Sequence, residues 1–313
     1  MKAVLPYDAS PAVRRILDAV DRRHLDIAIV DERDEAGLTR EIADAQVLLH
    51  VLSPVTAAIM SAAPSLKLVQ KIGVGVDAID REHAKRNGIA VCNMPGTNTA
   101  AVAELALGLM LACLRRIPPV DAALRAGNGW PAAQAHLDAA AEIDGACVGL
   151  IGYGAVARRL AGVLRAMGAT VIAHSPRAKE ADIELVPLDE LLARADIVSL
   201  HVPLVPETRN LLDAGRIARL KRGAIVVNTA RGPLIDEDAL VAALRAGHVA
   251  AAGLDVFAQE PARSDNPLFA LPNVVATPHI AWMTAGTWKR SLAVIVENCR
   301  RLAAGEPLIH RVA

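Results

Sequence analysis

Aromatic side chains are scarce in this chain: two Phe, two Tyr and three Trp among 313 residues, although 53% of the residues are hydrophobic. Such a set offers few platforms on which nucleic-acid bases could stack. An excess of one charge is also missing. The 34 Lys and Arg are matched by 34 Asp and Glu, so no global field gathers nucleic acid or an anionic membrane surface. Cysteine is sparse, and Cys92, Cys113, Cys147 and Cys299 lack the paired spacing of a metal site. They read as buried free thiols of a reducing compartment, with no metal implied. The longest apolar stretch, Ala100 to Leu114, contains Glu104 and Gly108 and is short for a bilayer span, which makes it a buried helix. The N-terminal text from Met1 to Asp8 has one short apolar run closed by a proline and an acid, the pattern of a first strand rather than a signal peptide. A soluble, cytoplasmic protein without nucleic-acid or membrane partners is expected.

What is present is an alternation of two periodicities. Apolar runs at Lys2–Leu5, Ile27–Val30, Val47–Val51, Leu68–Ile72 and Ile89–Cys92 read as strands. Helical patterns around Pro11–Val20, Leu38–Ala43, Thr56–Ala62 and Asp80–Asn87 separate them. Thr97, Asn98 and Thr99 are cap residues for a long helix to about Leu114. A second series begins at Ala146–Ile151 and a helix from about Val156 to Met167. It continues through strands at Thr170–Ala173, Ile197–Leu200, Ala224–Asn228, Ala251–Leu254 and Val274–Ala276. A long amphipathic helix from Thr284 to Ala304 closes the text. Near-continuous apolar strands alternating with helices predict an α/β fold of two doubly wound parallel sheets covered on both faces.

Gly149-Leu-Ile-Gly152-Tyr-Gly154-Ala-Val-Ala157 follows an apolar strand and enters a helix, the context of a dinucleotide-binding turn. Gly152 permits the tight turn, Gly154 lets backbone approach a pyrophosphate, and the small Ala157 allows close helix–strand packing. The second strand of such a fold carries an Asp or Glu when it holds the ribose 2′-hydroxyl of NAD. Here the text is Ala173-His174-Ser175-Pro176-Arg177-Ala178-Lys179, with a hydroxyl and two cations in place of the acid. Ser175 and Arg177 suit a 2′-phosphate, so NADP(H) is favoured, with NAD(H) as the alternative.

Three further passages stand in order: Arg231 in Val-Asn-Thr-Ala-Arg-Gly-Pro-Leu-Ile-Asp-Glu, Glu260 in Asp-Val-Phe-Ala-Gln-Glu-Pro, and His279 in Ala-Thr-Pro-His-Ile-Ala-Trp. With the glycine turn, they resemble the D-isomer-specific 2-hydroxyacid dehydrogenases over nearly the whole chain. The resemblance implies a Rossmann cofactor domain, 98–283, inserted into a flavodoxin-like substrate domain made of 1–97 and 284–313, with a cleft between them. It implies hydride transfer between a nicotinamide dinucleotide and a small 2-keto or 2-hydroxy acid. Arg231 would hold the substrate carboxylate, His279 would move the proton, and Glu260 would hold the histidine. Cofactor contacts are implied at Gly152, Tyr153, Gly154, Ala155, Val156, Ser175, Arg177, His201, Val202, Pro203, Thr208, Thr229, Ala230, Asp255 and Ala281, with Asp255 accepting from the carboxamide. His201 is the main rival to His279; His50, His83, His136 and His248 have no comparable context.

Gly73-Val74-Gly75-Val76-Asp77 resembles the family's substrate loop, with the Val74 and Gly75 amides on the carboxylate and Leu52 and Trp282 as pocket walls. Met283 and Trp130, the latter from a partner subunit, are also expected there. By the resemblance, phosphoglycerate-handling members carry an Arg-Ser pair where this chain has His50-Val51, and their C-terminal regulatory domain is not expected here. The His-Ile-Ala-Trp passage resembles glyoxylate and hydroxypyruvate reductases. A homodimer through helix 99–114 is implied, with burial inside the monomer as the other reading. The alternatives to an NADP(H)-linked glyoxylate or hydroxypyruvate reductase are an NAD-dependent dehydrogenase of another D-2-hydroxy acid and a dinucleotide-sensing binding protein resembling the corepressors that share this fold.

Overall fold

A computed structural model describes residues 1–20, 25–130, 140–178 and 181–313; His136 and Lys179 lie outside them. The chain divides into two compact units, Met1–Asn98 with Trp282–Ala313, and Thr99–Ala281.

The first unit holds a five-stranded sheet of β1 (Lys2–Pro6), β2 (Asp26–Val30), β3 (Val47–His50), β4 (Leu68–Lys71) and β5 (Ala90–Cys92). Its order is β2-β1-β3-β4-β5 and every pair is parallel, the order of flavodoxin-like sheets. All residues of β3, β4 and β5 are buried, so apolar side chains fall on both faces instead of alternating, with the buried polar residues His50, Gln70 and Lys71 at the carboxyl ends of β3 and β4. The final helix, Ala285–Ala304, is capped by Thr284, whose hydroxyl accepts from the Thr287 amide. The segment after it returns to β5: Val91 donates to the Ala313 carbonyl, and Val312 and Asn93 donate to those of Val91 and His310. Buried Asn298 fixes this return, donating to Gln70 Oε1 at 2.7 Å and accepting from the Ile309 amide at 2.9 Å.

The second unit holds β6 (Cys147–Ile151), β7 (Thr170–His174), β8 (Glu184–Leu185), β9 (Ile197–Leu200), β10 (Ala224–Asn228), β11 (Val249–Leu254) and β12 (Val274–Ala276). All pairs are parallel in the order β12-β11-β10-β9-β6-β7-β8. Read from β8, this is the dinucleotide-binding order with one added strand, and the order reverses between β6 and β9. Both residues of β8 are exposed and carry no apolar signal, so this strand is absent from the sequence reading.

Helix Thr99–Leu114 buries Ala101, Ala103, Ala106, Leu109, Met110, Cys113 and Leu114 in this unit's own core. A Cβ added at Gly253 would lie 2.8 Å from Leu109 Cβ, so glycine in β11 allows the helix to seat. The four cysteines are free thiols, and burial pushes Cys92 up to about 11 and Cys113 and Cys299 up to about 12. Among the described residues no helix is long and apolar enough to cross a membrane.

Candidate active site

Parallel strands deliver their carboxyl ends to one edge of the seven-stranded sheet, and the turns there carry most of the candidate residues. At the reversal point, Gly152 leaves β6 with φ of 96°, a left-handed conformation that favours glycine. A Cβ there would lie 2.9 Å from the His201 carbonyl and from Val202 Cγ1, so the turn packs directly on the loop after β9. At Gly154 an added Cβ would meet nothing within 4 Å. Helix Ala155–Ala166 begins there without a side-chain cap, whereas Asp236 and Thr284 cap the helices they precede. The first-turn amides are left for an anion beside open space. Ala157, fully buried, seats this helix on the sheet, and Val156 packs beside it.

After β7, His174 Nδ1 lies 3.1 Å from the Val186 carbonyl, and the Ala178 amide closes a turn on the Ser175 carbonyl. Arg177 is exposed and donates to none of the described residues. After β9, His201 Nε2 pairs with Ser199 Oγ at 3.0 Å, and burial pushes its imidazole down to about 4, so it is neutral at neutral pH. Thr208 serves its own loop: its hydroxyl donates to the Pro203 carbonyl at 2.7 Å and accepts from the Val205 amide at 2.9 Å. That hydroxyl holds the loop His201–Thr208 in shape.

After β10, Asn228 shapes the Thr229-Ala230-Arg231 turn, donating to the Arg231 carbonyl at 2.8 Å and accepting from the Ala230 amide at 3.0 Å. The Thr229 hydroxyl is buried without a partner, an orphan that suits a bound ligand. Gly232 has no room for a side chain, since a Cβ would overlap the Phe257 carbonyl at 1.9 Å. This close approach brings the Arg231 turn against the loop Phe257–Glu260.

His279 and Glu260 form the chemical centre of the unit. Glu260 Oε2 lies 2.6 Å from His279 Nδ1, and Glu260 Oε1 accepts from the Phe257 amide at 3.0 Å. Burial works against the Glu260 charge, but His279, the Phe257 amide and Arg231 outweigh it and hold the carboxyl below its usual value. With Nδ1 engaged, Nε2 is the ring atom left to exchange a proton. His279 has φ of 54°, a left-handed conformation uncommon outside glycine.

Asp255 maintains that conformation. Its carboxylate is fully buried and accepts from the Thr277 hydroxyl at 2.6 Å and from the Ile280 and Ala281 amides, each at 2.9 Å. Its own carbonyl accepts from the His279 amide at 2.7 Å. This carboxylate builds the histidine loop, to which Ala281 contributes a buried donor. Replacing Asp255 by Ala leaves one buried and two part-buried donors unpaired and is expected to cost about 2–4 kcal/mol in urea unfolding, together with loss of turnover.

In the first unit, the Gly73 and Val74 carbonyls accept from the Met94 amide and Asn93 Nδ2, while the Val74 and Gly75 amides donate to none of the described residues. Val74 and Leu52 are 46% and 37% exposed, so both can meet a ligand. Trp282 cannot do so as presented: it is 6% exposed in a cluster with Tyr7 and Trp288, at centroid distances of 6.4 and 5.5 Å. Trp130 is 84% exposed. His50 is buried with both ring nitrogens unpartnered, and burial, reinforced by neighbouring Lys71, pushes it down to about 3. His83 and His248 are held by Ser61 and by the Ile217 carbonyl. Sequence reasoning misses both the Asp255 network and a bond between Tyr153 and Asp182, because each pairs residues more than twenty positions apart.

Residues 107–281 match the model of the D-isomer specific 2-hydroxyacid dehydrogenase, NAD binding domain. The D-3-phosphoglycerate dehydrogenase of Mycobacterium leprae is 43% identical over 288 residues, covering 90% of this chain and 54% of that protein. The chain thus spans about half the length of that relative. The hydroxypyruvate reductase of Thermotoga maritima is 42% identical over 272 residues, covering 85% and 87% of the two chains. Among solved structures, a protein from Thermus thermophilus superposes over 100% of both chains with a TM-score of 0.87 and 36% identity. With a matching model over more than half its length, this chain belongs to the D-isomer specific 2-hydroxyacid dehydrogenase family.

Proposed function

We propose that the protein is an oxidoreductase acting on a small 2-keto or 2-hydroxy acid, an NADP(H)-preferring reductase of glyoxylate or hydroxypyruvate. The observation that carries this reading is the Glu260–His279 pair at 2.6 Å, on a loop beside the Arg231 turn. A nicotinamide dinucleotide fits the edge where these turns meet, and it supplies or takes up hydride when bound. The Gly152–Ala155 amides would hold its pyrophosphate, Thr229 and Ala230 its nicotinamide end, and Ser175 and Arg177 its 2′-phosphate. Arg231 would bind the substrate carboxylate with a planar fork and lower the cost of charge on the neighbouring oxygen. His279 Nε2 would give its proton to that oxygen in reduction and take it back in oxidation. Glu260 would orient the ring through Nδ1. The Val74 and Gly75 amides are proposed as further donors to the carboxylate, and Leu52 as an apolar contact.

A second reading, oxidation of D-3-phosphoglycerate, is favoured by the similarity to the Mycobacterium leprae dehydrogenase. Against it stands His50, which is buried and neutral and so offers no cation for a phosphate. Initial rates with glyoxylate, hydroxypyruvate and D-3-phosphoglycerate, each with both cofactors, test the assignment. Turnover of the keto acids with NADPH over NADH is expected. Activity confined to D-3-phosphoglycerate would transfer the assignment to the second reading, and silence throughout would favour a sensing role. A homodimer through helix 99–114 is proposed, since Val102, Leu105, Leu107 and Leu111 remain only half-buried in the chain.

A further inference from the structure

Glu237 is the first residue of helix Glu237–Arg245, a place where the helix dipole alone favours an acid. Its neighbours already serve that end. Asp236 caps the helix by accepting from the Ala239 amide at 3.1 Å, and Asp238 stays exposed in the first turn. Glu237 is half-buried and turns instead to a segment further along the chain. Its Oε2 accepts from the Ala258 amide at 2.9 Å, and its Oε1 accepts from Asn266 Nδ2 at 2.7 Å. These two donors flank Glu260, one on each side of it in the sequence.

Apolar packing does little to fix the segment between them, because every residue from Ala258 to Asp265 except Ala262 is exposed. Its two ends are better held. Phe257, just before it, is buried against Phe269 with the ring centroids 5.3 Å apart. Asn266, just after it, accepts on Oδ1 from the Leu268 amide at 2.9 Å and so belongs to the next turn. One carboxylate therefore gathers both ends of an exposed loop. That loop must place the Glu260 carboxylate with some accuracy, one oxygen 2.6 Å from His279 Nδ1 and the other 3.0 Å from the Phe257 amide.

Resting on the hydride-transfer reading above, we infer that Glu237 is a positioning residue that clasps both flanks of the Glu260 loop and so holds the Glu260 carboxylate on His279. The passage that carries Arg231 into its helix then also sets the partner of the histidine.

Glu237→Ala tests the clasp through two readouts. In steady-state kinetics on the keto acid, kcat is expected to fall about ten- to hundredfold, the effect of a small misplacement away from the reacting atoms. KM for the keto acid and Kd for the cofactor should each stay within about twofold, since neither ligand is anchored by Glu260. In a Glu260→Gln background the same change should lower kcat by less than about a further twofold, because it acts through Glu260. Glu237→Gln keeps an acceptor for one of the two donors and should recover most of the loss. Asn266→Asp keeps the cap on the Leu268 amide but sets a second carboxylate against Glu237. It should reproduce the pattern and covers the case in which Glu237→Ala folds poorly. The second readout needs no turnover. The proton shared by His279 Nδ1 and Glu260 should give a far-downfield NMR resonance, identified by its loss in His279→Asn, and Glu237→Ala should shift or broaden it. An unchanged resonance overturns the clasp, as does a kcat loss that persists in full in the Glu260→Gln background. Matching losses in cofactor binding would assign Glu237 to general support of the fold. Absence of keto-acid turnover by the parent would defeat the functional reading instead, and the resonance then decides the clasp by itself.

Discussion

Replacing His279 by Asn is expected to lower kcat by about 10²- to 10⁴-fold, the usual contribution of a positioned acid–base group. Asparagine keeps a polar side chain of similar reach and tolerates positive φ better than most residues, so the 277–281 loop should persist around Asp255. The dissociation constant for cofactor, measured by fluorescence titration, should stay within about twofold, since the ring is bonded to Glu260 and not to the glycine turn. A variant that turned over at the wild-type rate would remove His279 from the chemistry and return His201 to consideration. His201 starts at a disadvantage: it is held by Ser199 and kept neutral by burial. Glu260 extends the same prediction to pH. Its carboxyl is held below the usual value, so its contribution to stability is present above the unfolded value of about 4.3 and is lost as pH falls through the lower folded one. Glu260→Gln removes the carboxylate that holds His279 Nδ1, so kcat should fall with little change in cofactor Kd.

Replacing Arg231 by Lys is expected to reduce kcat/KM by about 10²-fold, and Arg231→Gln by about 10³-fold or more. Lysine keeps the charge but loses the planar two-point fork, which matters for holding a carboxylate and a neighbouring oxygen together. Glutamine loses the charge as well, and single donors to a developing oxyanion are worth about 10²- to 10³-fold. The loss should appear in KM for the keto acid as well as in kcat, because the same fork binds ground state and transition state. Steady-state kinetics of the three proteins over a substrate series decide it; unchanged KM and kcat in Arg231→Gln would eliminate the arginine as the carboxylate anchor. The turn should persist, since Asn228 and the Gly232–Phe257 approach build it, although Arg231 Nη1 also donates to the Ala230 carbonyl at 2.7 Å and that bond is lost in Arg231→Gln.

Most of the architecture was legible because parallel strands covered on both faces are largely apolar on both sides, with few polar residues such as Ser199 and Asn228 among them. Val47–His50 and Ile197–Leu200 have every residue buried, and their sequences announce it. The two exposed residues of β8 have no such obligation and left no trace. Residue patterning was equally silent on the pairing of the C-terminal segment with β5, which backbone groups and the single buried Asn298 make; only the resemblance implied that 284–313 return to the first domain. Trp282 shows a different limit. Its place just after His279 suggested a ligand wall, but in a chain with seven aromatic residues, three of them gather with their rings 5.5 to 6.4 Å apart. Burying large apolar area together outweighs exposing it near a polar site.

The sequence by itself determined which residue types stand just past which strands: glycines after β6, Arg231 after β10, Asp255 after β11 and His279 after β12. Strand periodicity and the parallel arrangement then bring those turns to one edge of the sheet, so local text was sufficient for that much. Only the tertiary structure decided which of these side chains are spent on the protein itself. Asp255 is enclosed by its loop, Thr208 closes its own turn, and Tyr153 reaches Asp182. A buried polar atom bonds whichever partner the fold brings within about 3 Å, and that choice depends on distances between strands that spacing along the chain does not encode.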